Sequence, residues 1–227
     1  MAPEGQLRSV AQHNSSAVDL VTAEIRRAVL TGALAPGQQF SIRDLASQLG
    51  VSHIPIREAL RRLESQGLVI LRQARSATVA SLTVADLEAI YRLRYVLEVP
   101  LAAASVGNHS EEHVRTLEAL LERSRDPDPE IAWQGHYDFH AALVEPAANE
   151  WDERILQTLW MAAERYTHLV FDPTRITDEE RENRYERHRI LLEAALGSEP
   201  ETMTSALTAH LGANAQRIRE HVGRLEA

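Results

Sequence analysis

Two short amphipathic patterns follow each other closely near the N-terminus. Val18, Val21, Ile25, Ala28 and Val29 outline one face of a helix running from Val18 to Leu30. Ile42, Leu45 and Leu49 then mark a second, shorter helix, and Gly50 supplies a residue that can turn left-handed where it stops. Ser52 is a good N-cap for a third helix, whose buried face is Ile56, Ala59, Leu60 and Leu63 and whose open face carries Arg57, Arg61 and Arg62. Two β-prone runs, Val69 to Leu71 and Thr78 to Val79, flank the basic link Arg72-Gln73-Ala74-Arg75-Ser76 and predict a small hairpin.

After Ser81 the pattern changes to long helical periods with almost no β signal. Helices are predicted from Thr83 to Ala104, Ser110 to Arg123, up to about Val144, Glu150 to about Val170, Asp178 to Leu196 and Glu199 to Val222. The proline-rich breaks Asp126-Pro127-Asp128-Pro129 and Asp172-Pro173 separate them. The expected fold is therefore an N-terminal winged helix-turn-helix, α with a small β wing, followed by a C-terminal all-α helical bundle. Residues 1–16 read as a flexible tail, 17–80 as the first domain and 81–227 as the second.

Helix, glycine turn and basic second helix form the arrangement that places a recognition helix in a DNA major groove, although an ordinary αα-hairpin with a solvated basic face has the same outline. The net charge of -9 argues against nucleic acid until it is divided. Residues 1–80 hold nine Arg against six Asp plus Glu, whereas residues 81–227 hold fifteen against twenty-seven. The basic charge thus lies with the helix-turn-helix and the acidic charge with the bundle. All 24 cations are Arg, suited to forked contacts with phosphate and guanine. Cysteine is absent, so metal chemistry must use His, Asp and Glu. No run of about 18 apolar residues and no basic-then-apolar leader is present, so a cytoplasmic protein with no membrane segment is expected.

The wording from Gly32 to Val69, "G.L.PG..FSIRDLA..LGVS..P.REAL.RLE..GLV", resembles the winged helix-turn-helix of GntR-type bacterial transcription regulators. The resemblance implies DNA contacts from Arg43 and Arg57, with His53 standing where the family usually has Arg. Ser52 and Ile54, at the recognition helix start, are positioned to reach base edges. Arg75 in the wing is a candidate minor-groove contact, although Ser76 replaces the usual wing glycine. Arg61 and Arg62 read instead as face residues paired with Glu58 or Glu64.

Four histidines form a second candidate site. His136 and His140 lie four apart on one helix, and His188 and His210 lie on two others. Three helices contributing inward imidazoles can hold a divalent metal, Zn²⁺ or Ni²⁺ before Fe²⁺ or Cu²⁺, yet unrelated histidines give the same pattern. Residues 81–227 are similar to the FCD ligand-binding domain of FadR-like GntR regulators, on "RLRYVLEVPLAAAS", "HYDFHAALV", "RHRILLEAA" and "AHL". That resemblance implies a metal site in which His140, His188 and His210 fall on the family histidines and His136 replaces the family Asp. Asp138 is excluded, because it points to the opposite helix face.

Four neutral imidazoles would leave one metal per chain at its full charge and favour a small carboxylate effector. Arg94 matches a family arginine and either binds that carboxylate or pairs with Glu98, its i+4 neighbour. Asn214 and Tyr166 are further pocket candidates, with Trp133 and Tyr137 beside them. The expected protein is a non-enzymatic homodimeric repressor on a palindromic operator, relieved by its effector. A metal-responsive regulator without an organic effector is the alternative, and a His-ligated metalloenzyme, for which no general base is evident beside the histidines, a more distant one.

Overall fold

The computed structural model describes residues 16–72, 76–81, 83–170 and 177–226. Helix α1 (Ala17–Leu30) begins on a reciprocal cap: the Ser16 hydroxyl accepts from the Asp19 N–H, and the Asp19 carboxylate accepts from the Ser16 N–H. Ser16 thus belongs to the helix start rather than to the expected tail, whose remaining residues lie outside those described. Val21, Ile25 and Val29 turn inward, on the predicted face.

A three-residue strand β1 (Gln39–Ser41), which the apolar pattern did not announce, leads into α2 (Ile42–Leu49). Ser41 caps α2, and Gly50, at φ 65°, ends it in the left-handed region that a side chain disfavours. The chain turns at once into α3 (His53–Ser65), whose Ile56, Ala59, Leu60 and Leu63 are completely buried. Strands β2 (Val69–Arg72) and β3 (Ser76–Val79) pair antiparallel, and β1 adds to the other edge of β3, giving the order β1-β3-β2. The wing is therefore a three-stranded sheet rather than a lone hairpin. Arg75 lies outside the described residues.

The second half consists of α4 (Val84–Ser105), α5 (Glu111–Arg123), α6 (Pro129–Val144), α7 (Glu150–Val170), α8 (Asp178–Ala195) and α9 (Pro200–Glu226). Thr83, Ser110 and Thr177 start three of these helices with side chains that accept from the N–H three residues on. Helix α9 continues past the predicted end at Val222. Helix α4 packs against α9 and α7, α5 against α6, and α8 against α9. A Cβ on Gly135 would approach the Arg123 carbonyl carbon to 2.8 Å, so glycine lets α6 press onto the end of α5 and seats the next residue, His136.

Each half has its own apolar core, residues 21–79 in one and 87–222 in the other. They meet where α1 crosses α7.

Candidate metal pocket and nucleic-acid face

The solvent side of α3 separates its cations into two groups. Arg61 pairs with Glu58 at 2.8 Å, and Arg62 reaches across to Asp19 of α1 at 2.6 Å. The expected Arg62 pairing within α3 therefore gives way to a bond between helices. Glu64 instead accepts from the Leu71 N–H of the wing at 2.9 Å. Arg43 and Arg57 are exposed and, among the described residues, make no ion pair.

Ser52, His53 and Ile54 are exposed at the α3 N-terminus, Ile54 by 73%. Ser52 adopts the cap conformation, yet its hydroxyl makes no cap bond. An uncapped helix start, unpaired arginines and a bare isoleucine suit phosphate, base-edge and thymine-methyl contacts. Arg72 of β2, from the basic link, is also exposed and without an ion pair among the described residues.

The histidines converge inside the bundle. His140 of α6 and His188 of α8 approach with their Nε2 atoms 3.3 Å apart. The His188 Nδ1–H donates to the Arg184 carbonyl at 2.7 Å, and the His140 Nδ1–H donates to the Glu98 carboxylate at 3.2 Å. In its neutral form an imidazole carries one N–H, so with both Nδ1–H groups engaged the facing Nε2 atoms would present lone pairs. Such lone pairs repel unless a cation lies between them, and two imidazole nitrogens bound tetrahedrally to Zn²⁺ stand about 3.3 Å apart. The carbonyl and the carboxylate behind them are the outer partners that orient metal-binding imidazoles.

His136 lies one turn before His140. Ligand atoms of His136, His140 and His188 fall within 4.8 Å of one another, and the buried His136 Nδ1 has no hydrogen-bond partner. This donor set fits a divalent metal. His210 of α9 packs with its ring centre 4.7 Å from that of His188 and 5.2 Å from that of His140, while its Nε2 accepts from the Asn214 amide at 3.1 Å. Three of the four expected imidazoles thus converge, and the fourth closes their flank under the hold of Asn214.

Burial lowers the His188 pKa to about 3, with His140 adding to the shift. His136 and His210 are also held well below the usual imidazole range, by burial first and then by neighbouring imidazoles. These rings stay neutral, the form a metal requires. Asp138 is not among the converging ligand groups and accepts instead from Gln134 at 2.7 Å.

Glu98 occupies a place that its position in an apolar helix does not announce. Only 1% exposed, it accepts from Arg94 Nε at 2.9 Å, Arg94 Nη2 at 3.3 Å and Trp160 Nε1 at 2.9 Å as well as from His140. Burial alone would raise its pKa; the Arg94 charge and the His140 bond outweigh burial and bring it to about 2. A carboxylate does therefore stand beside the histidines, contrary to the expectation, but four donors occupy it. Arg94 takes the ion-pair alternative while still forming part of the cavity wall.

That cavity, about 40 Å³, lies against His136, His140, Trp133, Trp160, Arg94 and Glu164. Glu164 accepts from the Trp133 indole N–H at 2.7 Å and pairs with Arg26 of α1. Tyr166 is placed elsewhere. It is fully buried, and its hydroxyl bonds both the N–H and the carbonyl of Thr83, each at 3.2 Å. Its role is to hold the junction between the wing and α4, not to line the cavity.

A DNA-binding winged helix-turn-helix joined to a helical bundle is the architecture of a bacterial transcription regulator. Residues 18–79 match the family described as bacterial regulatory proteins, gntR family, and residues 88–213 match the FCD domain. The chain belongs to the GntR family of transcription regulators and carries an FCD domain.

It is 29% identical over 215 residues to BphR, an uncharacterized HTH-type transcriptional regulator of Paraburkholderia xenovorans, covering 90% of this chain and 86% of the relative. It is 28% identical to a protein of Paenarthrobacter nicotinovorans described as "Probable D-xylose utilization operon transcriptional repressor", covering 86% and 84%. The solved E. coli McbR/YncC matches with TM-score 0.73 and 27% identity, over 90% of this chain and 98% of that one. Among the described residues, no helix is long and apolar enough to cross a membrane.

Proposed function

We propose that this regulator binds a palindromic operator as a homodimer, in the bacterial cytoplasm, and that a small carboxylate effector at a metal-containing pocket controls the binding. One recognition helix covers a half-site, so two-fold symmetry and palindromy go together. His136, His140 and His188, flanked by His210, would hold one divalent metal per chain, Zn²⁺ or Ni²⁺ suiting imidazole best. When bound, the metal supplies a Lewis-acidic positive centre for an anionic oxygen. Glu98 fixes the His140 tautomer and offsets the Arg94 charge, while Trp133 and Trp160 limit water.

The observation that carries the reading is Glu164: it stands in the cavity wall and holds Arg26 of the DNA-binding half. An occupant that moves Trp133 or Glu164 changes the hold on α1, and α1 packs on recognition helix α3. A coupling of about 1–3 kcal/mol through this contact is enough to empty an operator. Repression relieved by effector is the proposed sign, in keeping with the relative described as a xylose-operon repressor.

A metal-responsive regulator without an organic effector is the second reading, favoured by the small cavity of about 40 Å³. The metalloenzyme alternative lacks support, since Glu98 is bound by four donors and is not a free base. To test the proposal, an operator is selected from random duplexes and its affinity measured with Zn²⁺-loaded and chelator-treated protein. A change of about tenfold or more supports metal control. Equal affinities in both states sink it.

A further inference from the structure

We propose that the narrow cavity walled by Arg184, Arg187 and Asn214 is an anion subsite. It takes one carboxylate of a small dicarboxylate whose other end faces the imidazole cluster. The inference rests on the effector reading above and specifies the effector's chemistry.

Arg184 is 6% exposed. Its Nη2 donates to the Ser124 carbonyl at 2.7 Å, while Nε and Nη1 are buried without a hydrogen-bond partner. Among the described residues, no carboxylate lies within ion-pair distance of it. The bond to Ser124 gives it a structural role, because a cation at the C-terminal end of α5 complements the helix dipole. That role uses one donor of a five-donor guanidinium and leaves the inward edge unsatisfied. A buried charge kept without a counter-ion is costly unless a ligand supplies one.

Arg187, half-buried one turn of α8 further on, likewise makes no ion pair among the described residues. Burial, then the charges of Arg181 and Arg187, lower the Arg184 pKa to about 10, and burial followed by Arg217 lowers that of Arg187. This positive field sits in the acidic half of the chain, which makes a merely solvated arginine cluster a poor explanation. Arg94, by contrast, already has Glu98.

His136 and His188 wall the same cavity, so an anion between the arginines adjoins the imidazole cluster. Planar carboxylate oxygens match the guanidinium fork. The cavity holds only about 10 Å³ in this state, and the unpaired Arg187 side chain is the wall free to give way.

The test is calorimetric titration of full-length Zn²⁺-loaded protein with succinate, malate, propanoate and inorganic phosphate, for wild type, Arg187→Gln and Arg184→Gln. Wild type is expected to bind a dicarboxylate about tenfold more tightly than propanoate. Both variants are expected to lose that preference while keeping zinc content and propanoate affinity. Arg187→Gln decides the matter alone if Arg184→Gln does not fold. No dicarboxylate preference in wild type, or a preference kept in Arg187→Gln, overturns the proposal. Phosphate binding above succinate, with loss in the variants, overturns the dicarboxylate assignment. The same titrations on chelator-treated protein separate the two readings: arginine-dependent succinate binding without zinc supports the subsite even where the metal reading fails.

Discussion

Substituting Glu98 by Gln removes one charge from the centre of the bundle and little else. The amide keeps the volume of the side chain and can still accept one hydrogen bond. It leaves Arg94, 6% exposed, without the only carboxylate within ion-pair distance among the described residues. Taking one partner from a buried ion pair costs about 3–5 kcal/mol, and neither side chain is exposed enough for solvent screening to reduce that. The fall in Glu98 pKa from 4.5 to about 2 corresponds to about 3 kcal/mol, within the same range.

All three tryptophans, Trp133, Trp151 and Trp160, lie beyond residue 81, so their fluorescence in urea follows the helical bundle alone. At an m-value of about 2 kcal/mol/M, the Glu98→Gln midpoint falls by about 1.5–2.5 M. The double substitution Arg94→Met with Glu98→Leu recovers most of the loss, because neither buried charge then remains. Glu98→Gln also weakens Zn²⁺ binding by about 10–100-fold, since the acceptor that orients His140 loses its charge. A midpoint shift under about 0.5 M, or a double variant as unstable as the two singles combined, refutes the reasoning.

Glu164→Gln leaves the fold standing and reduces the effect of Zn²⁺ loading on operator affinity toward none; an unchanged effect in a gel-shift titration contradicts the proposed route through Arg26. The pH dependence of the same variant has a definite sign. Burial would raise the Glu164 pKa, but His168 and Arg26 hold it below 4.5. Its stabilisation is therefore full above the unfolded value and lost as pH falls through the folded one. The stability gap between wild type and Glu164→Gln, about 1–2 kcal/mol at pH 7, should close on acidification in urea melts. Arg57→Ala should cost about 1–3 kcal/mol in operator binding by fluorescence anisotropy and lower the salt slope, whereas Arg61→Ala should cost far less. Tyr166→Phe should cost about 1 kcal/mol of stability by removing the bonds to Thr83, with effector affinity unchanged in calorimetry.

The elements most legible in the sequence were those with a local signature. Gly50 ends α2 as its position implied, and the Ile56, Ala59, Leu60 and Leu63 face is buried as periodicity required. The His136–His140 spacing likewise survived into the structure, because two rings one helical turn apart must share a face. What stayed hidden depends on helices far apart in sequence. Strand β1 is short and half-exposed, and its place was fixed by pairing to β3 rather than by its own pattern. Glu98 read as one acidic residue in an apolar helix until Trp160 and His140 arrived from α7 and α6. Arg184 and Glu164 resembled solvated charges on polar helices, and only packing revealed one without a counter-ion and the other bridging to α1. Residue type alone puts Tyr166 in the pocket, whereas its position along α7 carries it to the Thr83 junction.

The central claim is that the imidazole cluster holds a metal, and elemental mass spectrometry of the purified full-length protein beside His140→Ala and His188→Ala tests it most directly. About one metal ion per chain in wild type, lost in both variants while their circular dichroism stays helical, is the predicted result. A wild type that remains free of metal after incubation with Zn²⁺ or Ni²⁺, or variants that retain it in full, would contradict the account.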